Sequence, residues 1–191
     1  MRRPNKANKD KFIEAAVKEL EEHGVSDFSL RRVAKSCGVS CAAPYKHFES
    51  KGELMTEVIR HINRKWLDIR ESTDALHENE SLKNRIVAIC MAYVTFLCTY
   101  PEYQTILNMN DRVFPSEMLE EKGKVSSQTE MLINEYCTQE NMAEDVKRRK
   151  LFVVRSLLFG ASIMINSGQL PFNTDTLDMV KSNILREFEI E

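Results

Sequence analysis

The chain is poor in the residues that punctuate β architecture. It has six glycines and five prolines among 191 residues, too few for the many turns of an all-β fold. With 42% hydrophobic and 29% charged residues, it also lies outside the collagen-like, low-complexity and disordered classes. Long apolar runs are missing too. The longest uncharged, apolar-rich stretch, Ile86 to Cys98, has 13 residues, against the roughly 18–20 that a membrane-spanning helix needs. No apolar stretch follows the basic N-terminus (Arg2, Arg3, Lys6, Lys9) to make a signal peptide. Five cysteines at irregular spacing give no disulfide framework and point to a reducing, cytoplasmic setting. The four histidines are scattered through the first 77 residues, and no Cys/His group has zinc spacing. No metal and no cofactor is therefore expected. No nucleophile–base pair, glycine-rich phosphate loop or clustered carboxylate motif appears either, so an enzyme is not expected.

What is present is an uneven distribution of charge. The net charge of −2 conceals a basic first third: residues 1–66 carry 14 Lys+Arg against 9 Asp+Glu, and residues 67–191 carry 13 against 20. A basic segment on an acidic remainder suggests two jobs, the first of which can meet a polyanion such as DNA. Charge alone is equally satisfied by a solvated face.

Apolar spacing is helical nearly everywhere, and no period-2 strand appears. Phe12, Ile13, Ala16, Val17 and Leu20 form a first stripe, stopped by Gly24. Ser29 caps a second helix bearing Leu30, Val33, Ala34 and Cys37, and Gly38 breaks it. A third short helix is expected from Cys41 to His47, capped by Ser40. Ser50-Lys51-Gly52-Glu53 has a capping-box pattern and opens a long helix. Further helices are expected from Ser81 to Tyr100, Glu102 to Asn110, Ser116 to about Cys137, about Ala143 to Asn166, and from Thr174 or Asp175 onward.

Two short helices joined at Gly38 make a helix-turn-helix. The first must pack, which Val33, Ala34 and Cys37 allow. The second must enter the major groove with a small, polar outer face, which Ser40, Cys41, Ala42, Tyr45, Lys46 and His47 supply. Pro44 sits inside this second helix, where it removes an N–H, at smaller cost in a first turn. Val39 and Phe48 read as core.

The longer string is more specific. Phe28 through Ser40 leads into Ala42-Ala43-Pro44-Tyr45-Lys46-His47-Phe48 and Ser50-Lys51-Gly52-Glu53-Leu54. Over about residues 8–60 this closely resembles the DNA-binding domain of TetR-family transcriptional regulators. Tyr93-Val94-x-Phe96 followed by Tyr100-Pro101-Glu102 is similar to one subgroup. The resemblance implies an all-α protein of about nine helices. A three-helix DNA-binding domain over 1–52 would precede a helical bundle for ligand binding and dimerisation over 53–191. It implies a recognition helix from Ser40 to His47, with Tyr45 and His47 on the DNA backbone. Lys51 and Ser29 would meet phosphates. Ala42, Ala43 and Lys46 are the candidates for base edges, and Arg2 and Arg3 for a minor-groove arm. Cys41 lies on the same surface; a redox role for Cys37 and Cys41 is the weaker reading beside packing.

Aromatic and Met positions in the acidic part are ordinarily core. The resemblance, however, implies a pocket there. Its candidate lining is Met91, Tyr93, Phe96, Met109, Phe114, Phe152, Arg155 and Phe159, with Met164 nearby and Asn108 and Asn110 as further polar anchors. The ligand would be largely apolar. The apolar last two helices, with Gly160, Ala161 and Ser162 allowing close approach, suggest a homodimer and a palindromic operator. The function so implied is a repressor released from double-stranded operator DNA by a small molecule. Regulation through a protein partner is the alternative, and a small helical enzyme a weaker one.

Overall fold

The computed structural model describes residues 6–24, 26–107 and 116–189. Among these there is no strand. The helices are α1 (Lys6–His23), α2 (Leu30–Ser36), a 3-10 turn (Pro44–Lys46), α3 (Lys51–Leu76), α4 (Leu82–Thr99), α5 (Pro101–Leu107), α6 (Ser116–Gln139), α7 (Glu144–Asn166) and α8 (Thr174–Glu189). The all-α class expected from the periodicity is what the chain adopts.

Local chemistry sets most boundaries. Ser81, in extended backbone, accepts the N–H of Asn84 at 3.3 Å and caps α4. Tyr100 precedes Pro101 and is forced out of helical geometry, so α4 ends there. Pro101 then opens α5 at the position where a missing N–H costs nothing. Between α6 and α7 the chain turns through Asn141 at φ 53°, a conformation asparagine tolerates better than most residues.

The chain divides into two compact units. The first is Met1–Arg64 with Pro101–Gly123, the second Lys65–Tyr100 with Lys124–Glu191. Packing thus groups the first half of α3 and all of α5 with the N-terminal helices. In the first unit, Phe12, Ile13, Ala16 and Leu20 of α1 are buried with Val33, Phe48, Leu54, Val58 and Tyr103. Glu57 receives Lys9 at 3.2 Å and Arg60 at 2.9 Å. Arg60 also reaches Glu121 of α6 at 3.2 Å.

In the second unit, α4, α7 and α8 pack against one another. By length and composition α4 passes for a helix able to cross a membrane, although the sequence showed no uncharged run of that length. In the fold its Ile86, Ile89, Cys90, Val94 and Leu97 are buried core. The end of α8 is held by two donors: fully buried Lys150 gives its ammonium to the Glu187 carbonyl at 2.6 Å, and Tyr136 gives its hydroxyl to the Phe188 carbonyl at 3.3 Å.

Candidate nucleic-acid interface

The joint between α1 and α2 is built around one acid. Glu19, 6% exposed, accepts the Ser29 N–H at 3.0 Å and the Arg32 Nε–H at 2.6 Å. Arg32 also bonds Asp27 through its carboxylate and its carbonyl. Ser29 is the N-cap of α2, its hydroxyl 3.5 Å from the Arg32 N–H. Its own N–H is therefore spent on Glu19, and its hydroxyl on the helix end. Nothing in the sequence pattern marks Glu19, because a pairing across two helices has no period.

Gly38 does what its position requires. It lies at φ +72°, and the N–H groups of Gly38 and Val39 return to the carbonyls of Lys35 (3.0 Å) and Ala34 (3.1 Å), closing α2. Cys37 is buried, with its thiol near the Lys11 carbonyl, as expected of a packing residue.

The element after this turn departs from expectation. Residues 40–47 do not form an α-helix; only Pro44–Lys46 is helical, and it is 3-10. The hydrogen bonds explain why. Ala43 N–H reaches Ser40 O at 2.9 Å, Lys46 N–H reaches Ala43 O at 3.1 Å, and His47 N–H reaches Pro44 O at 2.9 Å, each spanning three residues. Pro44 has no N–H to give to Ser40 O. Its ring is instead buried, as is Phe48. Val39, expected in the core, is 42% exposed, because closing the helix at Gly38 turns its side chain outward.

Ser40, Cys41, Ala42, Tyr45 and Lys46 are all exposed, and Ala43 is half-buried. Tyr45 is 60% exposed. His47 differs: its ring lies 5.4 Å from Phe12 and 6.4 Å from Phe48, and its Nδ1 is buried without a hydrogen-bond partner among the described residues. Lys51, one residue past the Ser50 cap of α3, gives its ammonium to the Phe28 carbonyl at 3.0 Å and lies 5.1 Å above the Phe28 ring. Arg2 and Arg3 lie outside the described residues.

The candidate ligand residues separate into three places. Met91 borders an open groove of about 520 Å³ between α4 and α8, with Asn84, Val87, Asp178 and Lys181. Tyr93 and Phe96 are buried in an aromatic cluster with Trp66, whose ring is 4.9 Å from Tyr93 and 5.5 Å from Phe96. Phe152, Arg155 and Phe159 border a second groove, of about 530 Å³, on α6 and α7. Phe152 is 71% exposed and Arg155 is paired with Glu130. Met109, Phe114, Asn108 and Asn110 lie outside the described residues. Of the small residues expected at a dimer contact, Ala161 and Ser162 face inward and only Gly160 is partly open. The exposed apolar groups of α7 are Phe152, Ile163 and Met164, with Met179 on α8.

Residues 12–58 match the family described as bacterial regulatory proteins, tetR family. Over 60 residues the chain is 37% identical to an HTH-type transcriptional regulator of Staphylococcus aureus (strain USA300). That stretch is 31% of this chain and 32% of the relative, so the match spans about a third of the curated relative's length. The fold is similar to that of the fatty acid degradation regulator FadR from Bacillus halodurans (TM-score 0.75, 14% identity, 96% of this chain and 97% of that one). It is also similar to multidrug binding protein EbrR complexed with imidazole (TM-score 0.67, 16% identity, 96% and 95%). At these identities the likeness is one of fold.

Proposed function

We propose that this chain, whose residues 12–58 match the tetR family, is a homodimeric, cytoplasmic repressor of that family that leaves a palindromic operator when a small molecule binds its second unit. The observation that carries the DNA-binding part is the turn between α2 and α3. A buried proline anchors it, and Ser40, Cys41, Ala42, Tyr45 and Lys46 stand outward from it. Small and hydrogen-bonding side chains on a projecting element suit base edges in a major groove. Lys51, at the start of α3, suits a phosphate, and Ser29, whose hydroxyl accepts at the start of α2, keeps its O–H proton to donate to one. His47, with its ring against Phe12, is better placed to brace the turn than to reach a phosphate.

The dimer follows from the apolar groups that α7 and α8 leave open, since a two-fold axis would cover Phe152, Ile163 and Met179 on both copies at once. Regulation follows from α3, a single helix that carries Lys51 at its start and Trp66 about four turns along it. A ligand touching Trp66 acts on the same helix as the phosphate contact. Ligand and operator then favour different states of one dimer.

The test is selection of bound sequences from random duplex DNA by the purified protein at two salt concentrations. An enriched palindrome whose affinity falls steeply with salt supports the reading. No enrichment at either salt overturns it and turns the search toward a protein partner.

A further inference from the structure

The interior of the second unit holds polar atoms that the fold leaves unpaired. Trp66 of α3 and Tyr93 of α4 are 1% and 4% exposed, with their rings in edge contact. Trp66 Nε1 and Tyr93 Oη are both buried without a hydrogen-bond partner among the described residues. One turn along α3 from Trp66, Arg70 Nε is buried and unpartnered in the same way. A buried donor left unmade forfeits its full hydration, and natural folds leave few such groups. Two of them sit on rings in contact and the third one turn away on the same helix, and a single partner could satisfy all three.

The chemistry of that partner can be read from the set. Indole and guanidinium N–H groups only donate, and a tyrosine hydroxyl donates readily. A partner that meets all three must therefore supply several acceptor lone pairs. A carboxylate offers about four, a neutral carbonyl two. Arginine charge lies nearby as well, that of Arg155 being paired with Glu130. Arg70 belongs to the set, and the charge of Arg155 favours the ionised form of Tyr93, although burial outweighs it and pushes the phenol up. Around these donors the walls are aromatic: Phe96 lies 5.5 Å from Trp66, and Phe159 lies 6.2 Å from Tyr93, edge-on. Phe159 also borders the open groove on α6 and α7, so movement of one ring would join that groove to the donors.

We propose that Trp66 Nε1, Tyr93 Oη and Arg70 receive the carboxylate of an organic acid whose aromatic body lies among Trp66, Tyr93, Phe96 and Phe159. This names the ligand class for the regulator proposed above and rests on that reading.

Trp66 is the single tryptophan of the chain, so its fluorescence reports on the site directly. The full-length protein is titrated with benzoate and phenylacetate, and in parallel with benzamide and benzyl alcohol. The acids are expected to shift Trp66 emission saturably, and the neutral compounds to bind at least about tenfold more weakly. Tyr93→Phe should weaken the acids by about tenfold. It should leave the melting temperature of the unliganded protein unchanged or higher, because the hydroxyl it removes has no partner. Arg70→Gln should weaken the acids and spare the neutral compounds. Equal binding of acids and neutral compounds, or no response to any acid, overturns the proposal. So does a Tyr93→Phe protein that melts earlier, which would show the hydroxyl already bonded within the fold. Operator binding is measured on the same preparations. Operator binding with no acid response sinks the acid site and spares the regulator. Acid binding that leaves operator affinity unchanged sinks release by ligand and spares the site.

Discussion

Replacing Glu19 by Ala should undo the joint that sets α2 against α1. The carboxylate is 6% exposed and accepts two hydrogen bonds, from Ser29 N–H at 3.0 Å and Arg32 Nε–H at 2.6 Å. Loss of a charged acceptor from a part-buried N–H costs about 1.5–3 kcal/mol. Arg32 adds little. Its side chain is 38% exposed and keeps Asp27, so solvent screens its share. The expected loss is about 2–3 kcal/mol for Glu19→Ala. It is about 1 kcal/mol for Glu19→Gln, which keeps an amide oxygen for Ser29 at neutral strength. For a chain of this size the alanine variant should melt about 5–10 °C lower. Far-UV circular dichroism reads the transition. Trp66 belongs to the second unit, so its fluorescence follows the other half of the molecule and serves as an internal control. The two variants should fall in the order Ala below Gln below parent. A Glu19→Ala protein within about 0.5 kcal/mol of the parent, the range of an ordinary surface change, would refute the role given to this acid. So would a loss confined to the Trp66 signal.

Lys51→Ala should weaken DNA binding across all sequences and lower the slope of log K against log salt by about 1, whereas Lys46→Ala should also change the preferred operator; a binding-site selection on each variant distinguishes the two. Phe152→Glu places a charge on a side chain 71% exposed in the single chain; it should weaken self-association by about thirtyfold or more, seen by sedimentation, and an unchanged mass would exclude α7 from the dimer contact. At Glu57, burial disfavours the charge, but the hydrogen bonds from Lys9 and Arg60 outweigh it and hold the carboxyl below its ordinary range. A lowered folded pKa contributes stability that is complete above the unfolded value of about 4.3 and is lost as pH falls through the folded one. Glu57→Gln should therefore destabilise at neutral pH and converge on the parent in acid; a difference independent of pH would remove Glu57 from the account.

The helices were legible because each buries one stripe. Phe12, Ile13, Ala16, Val17 and Leu20 recur at helical spacing and are buried together in α1, and Ser29 and Ser81 cap the helices they precede. What the pattern could not show is which apolar side faces in. From Leu151 to Phe159 α7 is apolar almost all round, so its period cannot tell Val154 and Leu158, which are buried, from Phe152, which is open. Hence Phe152, expected to line a pocket, borders an open groove at the surface, and Ala161 and Ser162, expected to allow close approach between copies, pack within the chain. Glu19, Lys150 and the Trp66–Tyr93 pair went unread for another reason. Each matters through a partner many residues away, and single-sequence spacing carries no information about such pairs. For Trp66 one signal was available: a lone tryptophan on the apolar side of a helix that begins at the DNA-binding element.

The third helix of the helix-turn-helix is where sequence and structure part, and the difference bears on function. An α-helix from Ser40 to His47 would project its outer residues by helical period alone. The turn that forms instead is fixed by two anchors. Gly38 at φ +72° closes α2 ahead of it, and the buried ring of Pro44 holds it from within. The second anchor explains the apparent cost of the proline. Its missing N–H is no loss, because the Ser40 carbonyl that would accept it already takes the Ala43 N–H at 2.9 Å. Bonds that span three residues wind the chain tightly, and the element closes at Phe48, again buried, whose N–H returns to the Pro44 carbonyl at 2.9 Å. In the proposed DNA-binding role, a surface held by these bonds would have less backbone freedom to lose on meeting DNA, which would lower the ordering cost of binding. Under the proposed function, specificity would rest on the few side chains the turn exposes, and Lys46 is the only charged one among Ser40, Cys41, Ala42, Tyr45 and Lys46.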